Sequence, residues 1–305
     1  MTDKYHFIAD NPNADYYRKC ERDYHIGDRP ASKVFDSHCH IYPDGIAPKA
    51  VIAIDRFYKD LPPSHHDGTA STLLKEGREQ GISHFIVHSV ATTPAQVTVI
   101  NHFITRAAAE SGGAFTGMGT MHPDSPDPRK DFEELCSLGL KGVKLHPDIQ
   151  RFDADCPWAM SVYEMCEDAG LPVCVHTGDY RYDYSNPERI AGILKRFPRL
   201  TFIGAHFGGW SVWDDAARLL PDYPNLVVDT SSSFYWLEPG NAKELIRAFG
   251  SERVMFGTDY PMFPREPELE YLRRLALSSR EYEDICWRTC SRVFGIAQSK
   301  GEANV

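Results

Sequence analysis

Histidine and aspartate residues stand where several short apolar runs of the sequence end. The first run ends in His38-Cys39-His40, and residues two apart along a strand face the same side, so the two imidazoles point in one direction. Two imidazoles placed in this way can bind one divalent cation. Because His176 and Asp259 end two later runs, we interpret the histidine pair as part of a metal site rather than as a solvated pair.

The elements that must position these residues alternate regularly along the chain. Apolar runs cover 34–41, 83–90, 115–121, 141–146, 171–177, 200–206, 225–230 and 253–259, and helix-like stretches lie near 68–80, 95–110, 129–138, 157–169, 187–197, 210–219, 239–249 and 267–294. Alternating strands and helices imply a parallel sheet, and eight such units match a closed barrel. An open, doubly wound sheet is the alternative, but its glycine-rich first turn is missing. The sequence predicts an α/β fold, an eight-stranded parallel (β/α)8 TIM barrel over residues 33–305, with residues 1–32 as an N-terminal extension packed on it.

The active site of such a barrel forms at the C-terminal ends of its strands. Every predicted strand ends in or beside a histidine or an aspartate, in a chain with 13 histidines. Branched apolar side chains fill the interior of a barrel, so packing does not explain imidazoles at one rim. The strand-end residues are His38, His40, His88, His122, His146, His176, His206, Asp229 and Asp259.

Composition excludes several classes of partner. The 305 residues include 33 Lys and Arg against 43 Asp and Glu, a net charge of −10, and no basic run, which argues against nucleic acid. The sequence has no apolar stretch long enough to cross a membrane, and charged residues stand where a signal peptide needs an apolar core. Eight cysteines without a CxxC pair are typical of buried thiols. We therefore expect a cytoplasmic protein with a small-molecule substrate, and homo-oligomerisation is left open.

Four strand-end motifs together resemble the amidohydrolase superfamily, from about Val34 to Ile296. The resemblance is narrower to the amidohydrolase-related branch that includes aminocarboxymuconate-semialdehyde decarboxylase. The motifs are Asp36-Ser37-His38-Cys39-His40, Val175-His176-Thr177, Ala205-His206-Phe207-Gly208 and Gly257-Thr258-Asp259-Tyr260-Pro261.

The resemblance implies a ligand set and a catalytic imidazole. In that family the equivalents of His38, His40, His176 and Asp259 bind a divalent metal, here expected to be one ion, with zinc favoured. His206 corresponds to the imidazole that acts beside the metal as a proton shuttle or polarising group. Asp259 would also serve as the general base that takes a proton from the activated water.

Lys144 and His146 at the end of the fourth predicted strand depart from the dinuclear members of the superfamily. Those members carry a carboxylated lysine or a glutamate there, which bridges two metals. We expect Lys144 to point inward, one layer below His146, and to pair with a carboxylate or to polarise the substrate. A bridging carbamate on Lys144 is the alternative. A TatD-like nuclease is disfavoured because the strand-four glutamate and a basic face are both missing.

Two loops are candidates for contact with the substrate. The loop 178–185 is rich in tyrosine around Arg181, which could hold a substrate carboxylate; packing between loops is the alternative explanation of its aromatic residues. Residues 42–66 form a long connection after the first strand, of the kind that often covers a site.

The leading functional hypothesis is a metal-dependent hydrolase that directs an activated water at a small carboxylated or cyclic substrate of the amide or lactone type. The alternative is a lyase on the same barrel, a non-oxidative decarboxylase or hydratase of an unsaturated or aromatic acid, with an arginine that clamps a carboxylate. A catalytically silent binding module is a third hypothesis, which the intact ligand set disfavours.

Overall fold

The apolar runs form short parallel strands, as predicted. The computed structural model describes Asn13 and residues 30–59 and 61–297. Its strands are β1 (Val34–His40), β2 (Ile82–His88), β3 (Phe115–Gly117), β4 (Gly119–Thr120), β5 (Val143–Leu145), β6 (Val173–Val175), β7 (Phe202–Gly204), β8 (Leu226–Asp229) and β9 (Val254–Met255).

The strands close into one barrel. They pair in parallel in the orders β1-β2-β3 and β4-β5-β6-β7-β8-β9. The third predicted strand is split at Met118 into β3 and β4, so nine strands make eight barrel positions. The ring closes where Ser37 N donates to Phe256 O over 2.9 Å and His40 N donates to Tyr260 O over 2.7 Å. The predicted (β/α)8 barrel is therefore confirmed.

Helices follow the strands along the chain. They are α1 (Ala47–Phe57), α2 (Ala70–Glu79), α3 (Gln96–Glu110), α4 (Pro128–Ser137), α5 (Pro147–Gln150), α6 (Pro157–Ala169), α7 (Pro187–Arg196), α8 (Trp213–Leu219), α9 (Pro239–Phe249), α10 (Arg265–Arg274), α11 (Ser279–Glu283) and α12 (Thr289–Phe294). The connection 42–66 is thus not only a loop, because it contains α1. The predicted last helix is interrupted between α10 and α11 and by a π-helical turn at Asp284–Arg288. None of the described helices is both long and apolar enough to cross a membrane.

Local sequence explains where many helices begin and end. Proline, whose fixed φ suits the first turn and whose missing N–H costs nothing there, starts α4, α6, α7 and α9. Gly170 ends α6 in the left-handed conformation at φ 66°, which glycine adopts without steric cost. Asp127 caps α4 by accepting a hydrogen bond from Lys130 N.

The core changes character along the barrel axis. Apolar strand residues such as Phe85, Val143 and Phe202 are fully buried and pack in the main core. Toward the strand ends the interior becomes polar, and Asp36, His38, Lys144 and Asp229 are equally buried. Buried polar groups are costly unless they are hydrogen-bonded or bind a ligand, so this end of the barrel is a candidate functional region.

The predicted extension, residues 1–32, lies mostly outside the described residues. Its Asn13 amide donates to the backbone carbonyls of Phe234, Tyr235 and Leu237 at 3.1, 3.2 and 2.9 Å. This residue thus contacts the segment after β8. The division into an extension and a barrel domain stays a prediction.

Gly178 permits the close approach of the segments that follow β6 and β7. Its φ is +74°, and a Cβ there would lie 2.7 Å from the Cα of Gly209 and 2.8 Å from the nitrogen of Trp210. Trp210 N donates to Thr177 O over 2.7 Å, so the two backbones are also hydrogen-bonded. These segments carry His176 and His206, and the contact fixes their separation.

We expect Gly178→Ala to lower the free energy of unfolding by about 2–4 kcal/mol, because it adds left-handed strain and a clash with rigid backbone. Chemical denaturation measures the loss. Gly192→Ala is the control, since Gly192 lies within α7, has a helical φ and has no neighbour within 4 Å of an added Cβ. That variant should be unchanged or more stable by up to about 1 kcal/mol. Equal effects of the two substitutions would contradict the close approach.

Candidate active site

The predicted site residues converge on one cavity of about 520 Å³ at the C-terminal ends of the strands. Seven of the eight predicted residues line it: His38, His40, Lys144, His146, His176, His206 and Asp259. The cavity wall above them is apolar and comes from α1 and α3, through Ile54, Phe57, Ile100 and Phe103. The cavity therefore has a polar floor of nitrogen and oxygen donors beneath an apolar wall.

His38, His40 and Asp259 present their donor atoms to one another. The Nε2 atoms of the two histidines each lie 3.5 Å from Asp259 Oδ1. Two ligands that are each about 2.1 Å from a tetrahedral ion are separated by about 3.4 Å, so this spacing fits a shared metal. The other carboxylate oxygen, Oδ2, accepts a hydrogen bond of 2.5 Å from Ser232 Oγ, which fixes the orientation of Asp259.

Asp229 determines which nitrogen of His38 is available. Its Oδ2 lies 2.9 Å from His38 Nδ1, and both side chains are fully buried. A carboxylate accepts hydrogen bonds, so the His38 proton sits on Nδ1 and the lone pair is on Nε2, which Lys144 Nζ approaches to 3.0 Å. Asp229 Oδ1 also accepts from the backbone N–H groups of His206 and Ser231, at 3.0 and 3.1 Å. Sequence reasoning placed Asp229 at a strand end but gave it no role.

A second chain of hydrogen bonds fixes His176. Ser231 O accepts from His206 Nδ1 over 2.8 Å, so His206 Nε2 carries a lone pair and accepts from His176 Nδ1 over 2.9 Å. The proton of His176 is therefore on Nδ1, and its buried Nε2 has no hydrogen-bond partner among the described residues. Its nearest carboxylate oxygen is Asp148 Oδ2 at 3.5 Å. An unpaired, buried imidazole lone pair is suited to a metal ligand.

Burial determines the protonation states of the histidines and of Asp259 on the cavity floor. Burial lowers the pKa of His206 to about 4 and raises the pKa of Asp259 to about 6. Burial, reinforced by neighbouring positive groups, holds the pKa values of the other imidazoles well below their ordinary value: His38, His40, His88, His146 and His176. Neutral imidazole is the form that binds metal, so the donor set fits a divalent ion.

Lys144 is buried and points inward, as its strand position predicted. Its Nζ lies 3.0 Å from His38 Nε2 and 3.6 Å from Cys174 Sγ. Its hydrogen-bond partners are therefore an imidazole and a thiol, and the predicted pairing with a carboxylate is not what the structure shows. The lysine directly adjoins the proposed ligand atom of His38.

His88 is a neighbour of the metal ligands to which sequence reasoning gave no role beyond its place at a strand end. It is fully buried, and neither ring nitrogen has a partner among the described residues. Its ring meets those of His38 and His40 edge-on, with centroids 4.7 and 4.5 Å apart. This imidazole belongs to the same buried polar layer.

Arg181 is not among the residues that line the cavity. Its guanidinium donates to both carboxylate oxygens of Asp179, at 2.7–3.3 Å, and its Nη1 donates to Phe57 O over 2.8 Å. It also lies over the rings of Phe57, Tyr58, Tyr182 and Trp210, at 4.9–5.9 Å from their centroids. Arg181 thus ties the C-terminal end of α1 to the loop after β6, and its predicted contact with substrate stays a prediction.

Asp36 and Arg265 hold the barrel closed beneath the site. Asp36 accepts from Thr258 N and Oγ1, at 3.0 and 2.6 Å, and therefore fixes the segment that leads to Asp259. The fully buried Arg265 lies 3.7 Å from Asp36 and 3.3 Å from Gln80. Asp36 thus supports the segment that carries Asp259.

We expect the buried Asp259 to make the metal-free protein less stable at neutral pH. The pKa of Asp259 is about 6 in the folded protein, whereas its ordinary value is 3.8. The carboxyl group therefore ionises at lower pH in the unfolded chain, and the free energy of unfolding falls as the pH rises from about 4 to about 6. Metal-free Asp259→Asn, which can still accept from Ser232, should melt roughly 3 °C or more above the metal-free parent at pH 8. The difference should shrink toward pH 4, measured by thermal unfolding with chelator present. A less stable variant at pH 8 would contradict this assignment.

Comparison with known proteins agrees with the geometry. Residues 35–296 match the family model described as Amidohydrolase. Among similar solved structures, 5-carboxyvanillate decarboxylase from Sphingomonas paucimobilis superposes with a TM-score of 0.67 at 17% identity, covering 87% of this chain and 99% of that one. A Pseudomonas putida protein described as a 2-pyrone-4,6-dicarboxylic acid hydrolase gives 0.63 at 20% identity, covering 88% and 99%.

A third similar structure contains a metal. The dihydroxybenzoic acid decarboxylase from a Polaromonas species, with bound manganese and the inhibitor 2-nitroresorcinol, has a TM-score of 0.65 at 15% identity, covering 89% of this chain and 99% of that one. At these identities the three structures establish the shared barrel, and the family match establishes membership. This chain therefore belongs to the amidohydrolase family of enzymes.

Proposed function

We propose that the protein is a metal-dependent hydrolase that acts on a small cyclic or carboxylated substrate of the amide or lactone type. The proposal is supported by family membership and by the convergence of His38, His40 and Asp259 in one cavity. The apolar wall from α1 and α3 suits a substrate with an apolar body. The partner is thus a small molecule.

His38, His40, His176 and Asp259 would hold one divalent ion. Three imidazoles and a carboxylate suit zinc, our first choice, and manganese is the alternative because a similar barrel binds it. When bound, such an ion lowers the pKa of water and polarises a carbonyl group, which is the chemistry it would supply. Lys144 and His146 lie on the same cavity floor and would contact the substrate.

Asp259 and His206 would move the protons. Asp259 Oδ1 lies 3.5 Å from the Nε2 atoms of both His38 and His40 and would accept a proton from water, while Ser232 holds the opposite oxygen. His206 is held at both ring nitrogens, by Ser231 O at Nδ1 and by His176 Nδ1 at Nε2. To transfer a proton to the leaving group, its Nε2 would first exchange the hydrogen bond from His176 for a proton. The two groups thus have separate tasks on one cavity floor.

One observation favours hydrolysis over the lyase alternative. A decarboxylase of the kind considered above would use an arginine to clamp a carboxylate, and no arginine is among the cavity-lining residues that the structure describes. Arg181 is paired with Asp179, and Arg265 is buried against Asp36. Attack on the carbonyl group of an uncharged lactone or amide needs no such clamp.

The experiment that tests the proposal distinguishes the two reactions by their products. Protein loaded with zinc or manganese is incubated with lactones, amides, and aromatic and unsaturated carboxylic acids. We expect proton release from at least one lactone, or release of ammonia or an amine from at least one amide, and no CO2 from the acids. Release of CO2 alone would replace the hydrolase with the lyase, and turnover of nothing in the panel would count against both.

Metal content provides a direct check of the ligand set. We expect about one divalent ion per chain, and the double variant His38→Ala, His40→Ala should lose most of it, because the remaining shell is incomplete. Elemental analysis after dialysis measures the stoichiometry. Full occupancy in the double variant would refute the assignment. Two ions per chain that are lost together in Lys144→Ala would instead support a bridging carbamate.

The separate tasks of Asp259 and His206 predict separate defects. His206→Asn should keep its metal while kcat falls by about 10²–10⁴, the usual effect of losing an acid–base or charge-stabilising group. Asp259→Asn should abolish turnover with at most partial loss of metal, since three imidazoles remain. Steady-state kinetics and elemental analysis on the same samples test both statements. Near-normal turnover by His206→Asn would show that this imidazole takes no part.

A further inference from the structure

Tyr58 adds a polar group to the cavity that the mechanism above does not use. It follows α1 directly, its side chain is buried, and it lines the cavity together with His146 and Asp259. Its hydroxyl oxygen lies 3.0 Å from His146 Nε2. The wall formed by α1 and α3 is mostly apolar, with Lys49 and Gln96 as its polar members, so the orientation of this hydroxyl matters for any bound molecule.

The hydrogen bonds of His146 determine what the hydroxyl can do. His146 caps the short helix α5 by accepting a hydrogen bond from Ile149 N at its Nδ1, over 3.3 Å. An imidazole whose Nδ1 accepts a hydrogen bond carries its proton on Nε2. His146 Nε2–H therefore donates to the oxygen of Tyr58. The ring of His146 is held in turn by stacking on His176, with centroids 3.9 Å apart and planes 8° apart.

The O–H of Tyr58 is consequently left to donate elsewhere. No described residue accepts a hydrogen bond from it, because its one hydrogen-bond partner, His146, is the donor in that pair. A phenol is protonated at neutral pH, so a hydrogen-bond donor faces the cavity without a protein acceptor. A buried donor of this kind is costly unless a ligand or water meets it.

The main chain beside Tyr58 is fixed from the opposite side. Arg181 donates to the carbonyl of Phe57 at the end of α1, and its guanidinium lies 5.0 Å from the centroid of the Tyr58 ring. Asp179 holds that guanidinium through both carboxylate oxygens. The ring is thus held by Arg181 on one side and by His146 at its hydroxyl, which is the preorganisation that a donor to a transition state requires.

We propose that Tyr58 is a catalytic residue whose hydroxyl donates a hydrogen bond to the carbonyl oxygen of the bound substrate and stabilises the negative charge that develops there. The assignment rests on the proposed hydrolase function. It also specifies the substrate: a molecule with an apolar body whose carbonyl oxygen faces the wall formed by α1 as well as the polar floor. His146 acts as a positioning residue for this hydroxyl.

Tyr58→Phe tests the proposal, with Tyr182→Phe as the matched control. Tyr182 belongs to the same aromatic cluster around Arg181, but it is not among the cavity-lining residues. Binding is measured with 4-nitrophenol, whose phenolate absorbs visible light and presents a negatively polarised phenolate oxygen as a hydrogen-bond acceptor. We expect Tyr58→Phe to keep its metal and its melting temperature, to raise the Kd of nitrophenolate about 10-fold, and to lower kcat about 10²-fold on the best panel substrate. Tyr182→Phe should match the parent.

The outcomes separate this inference from the proposed function. An unmodified enzyme that hydrolyses nothing in the panel defeats the hydrolase proposal, while the nitrophenolate titration still decides whether Tyr58 donates into the cavity. An unchanged Kd in Tyr58→Phe overturns the assignment of Tyr58, even if the parent is a hydrolase. Loss of metal in Tyr58→Phe also overturns it, because the hydroxyl would then support the ligands rather than the substrate.

Discussion

The carboxylate of Asp229 fixes which nitrogen of His38 carries its proton, and the rest of the site follows from that contact. It is a fully buried hydrogen bond of 2.9 Å between β8 and β1, and it leaves His38 Nε2 as a lone pair among the other donors. The same carboxylate accepts the backbone N–H groups of His206 and Ser231. One buried carboxylate therefore sets the tautomer of His38 on β1 and the backbone position of His206 after β7.

The site is maintained at a cost in stability. Its imidazoles are neutral because burial disfavours their charged form, and several of their nitrogens have no partner among the described residues. His206, Ser232 and Asp259 have φ values of 60°, 50° and 59°, in the left-handed region where a residue other than glycine costs about 1–3 kcal/mol. The barrel beneath tolerates these costs, and a bound ion would offset part of them. Strain and unpaired donors concentrated at one rim are typical of a functional site.

Helix α1 gives the cavity its chemical asymmetry. It lies between β1 and α2 along the chain and adds Ile54 and Phe57 to the wall. Arg181, which the sequence suggested as a carboxylate clamp, donates to the carbonyl at the end of this helix instead. The cation thereby stabilises the wall and is not among the residues that line the cavity. The result is a polar floor opposite an apolar wall, a division that favours a substrate with one reactive carbonyl group and an apolar body.

The sequence by itself determined the barrel and the location of its site, because alternating apolar runs and helical stretches impose a parallel topology that gathers all strand ends at one rim. The motifs also sufficed to propose His38, His40 and Asp259 as ligands. Only the tertiary structure revealed the hydrogen bonds of Asp229 and Tyr58. These bonds reach His38 and His146, which are 191 and 88 positions away in the sequence, and no local pattern encodes such contacts. Proton positions and side-chain pairings are set by distant segments meeting in three dimensions, whereas strand and helix periodicity is set by near neighbours.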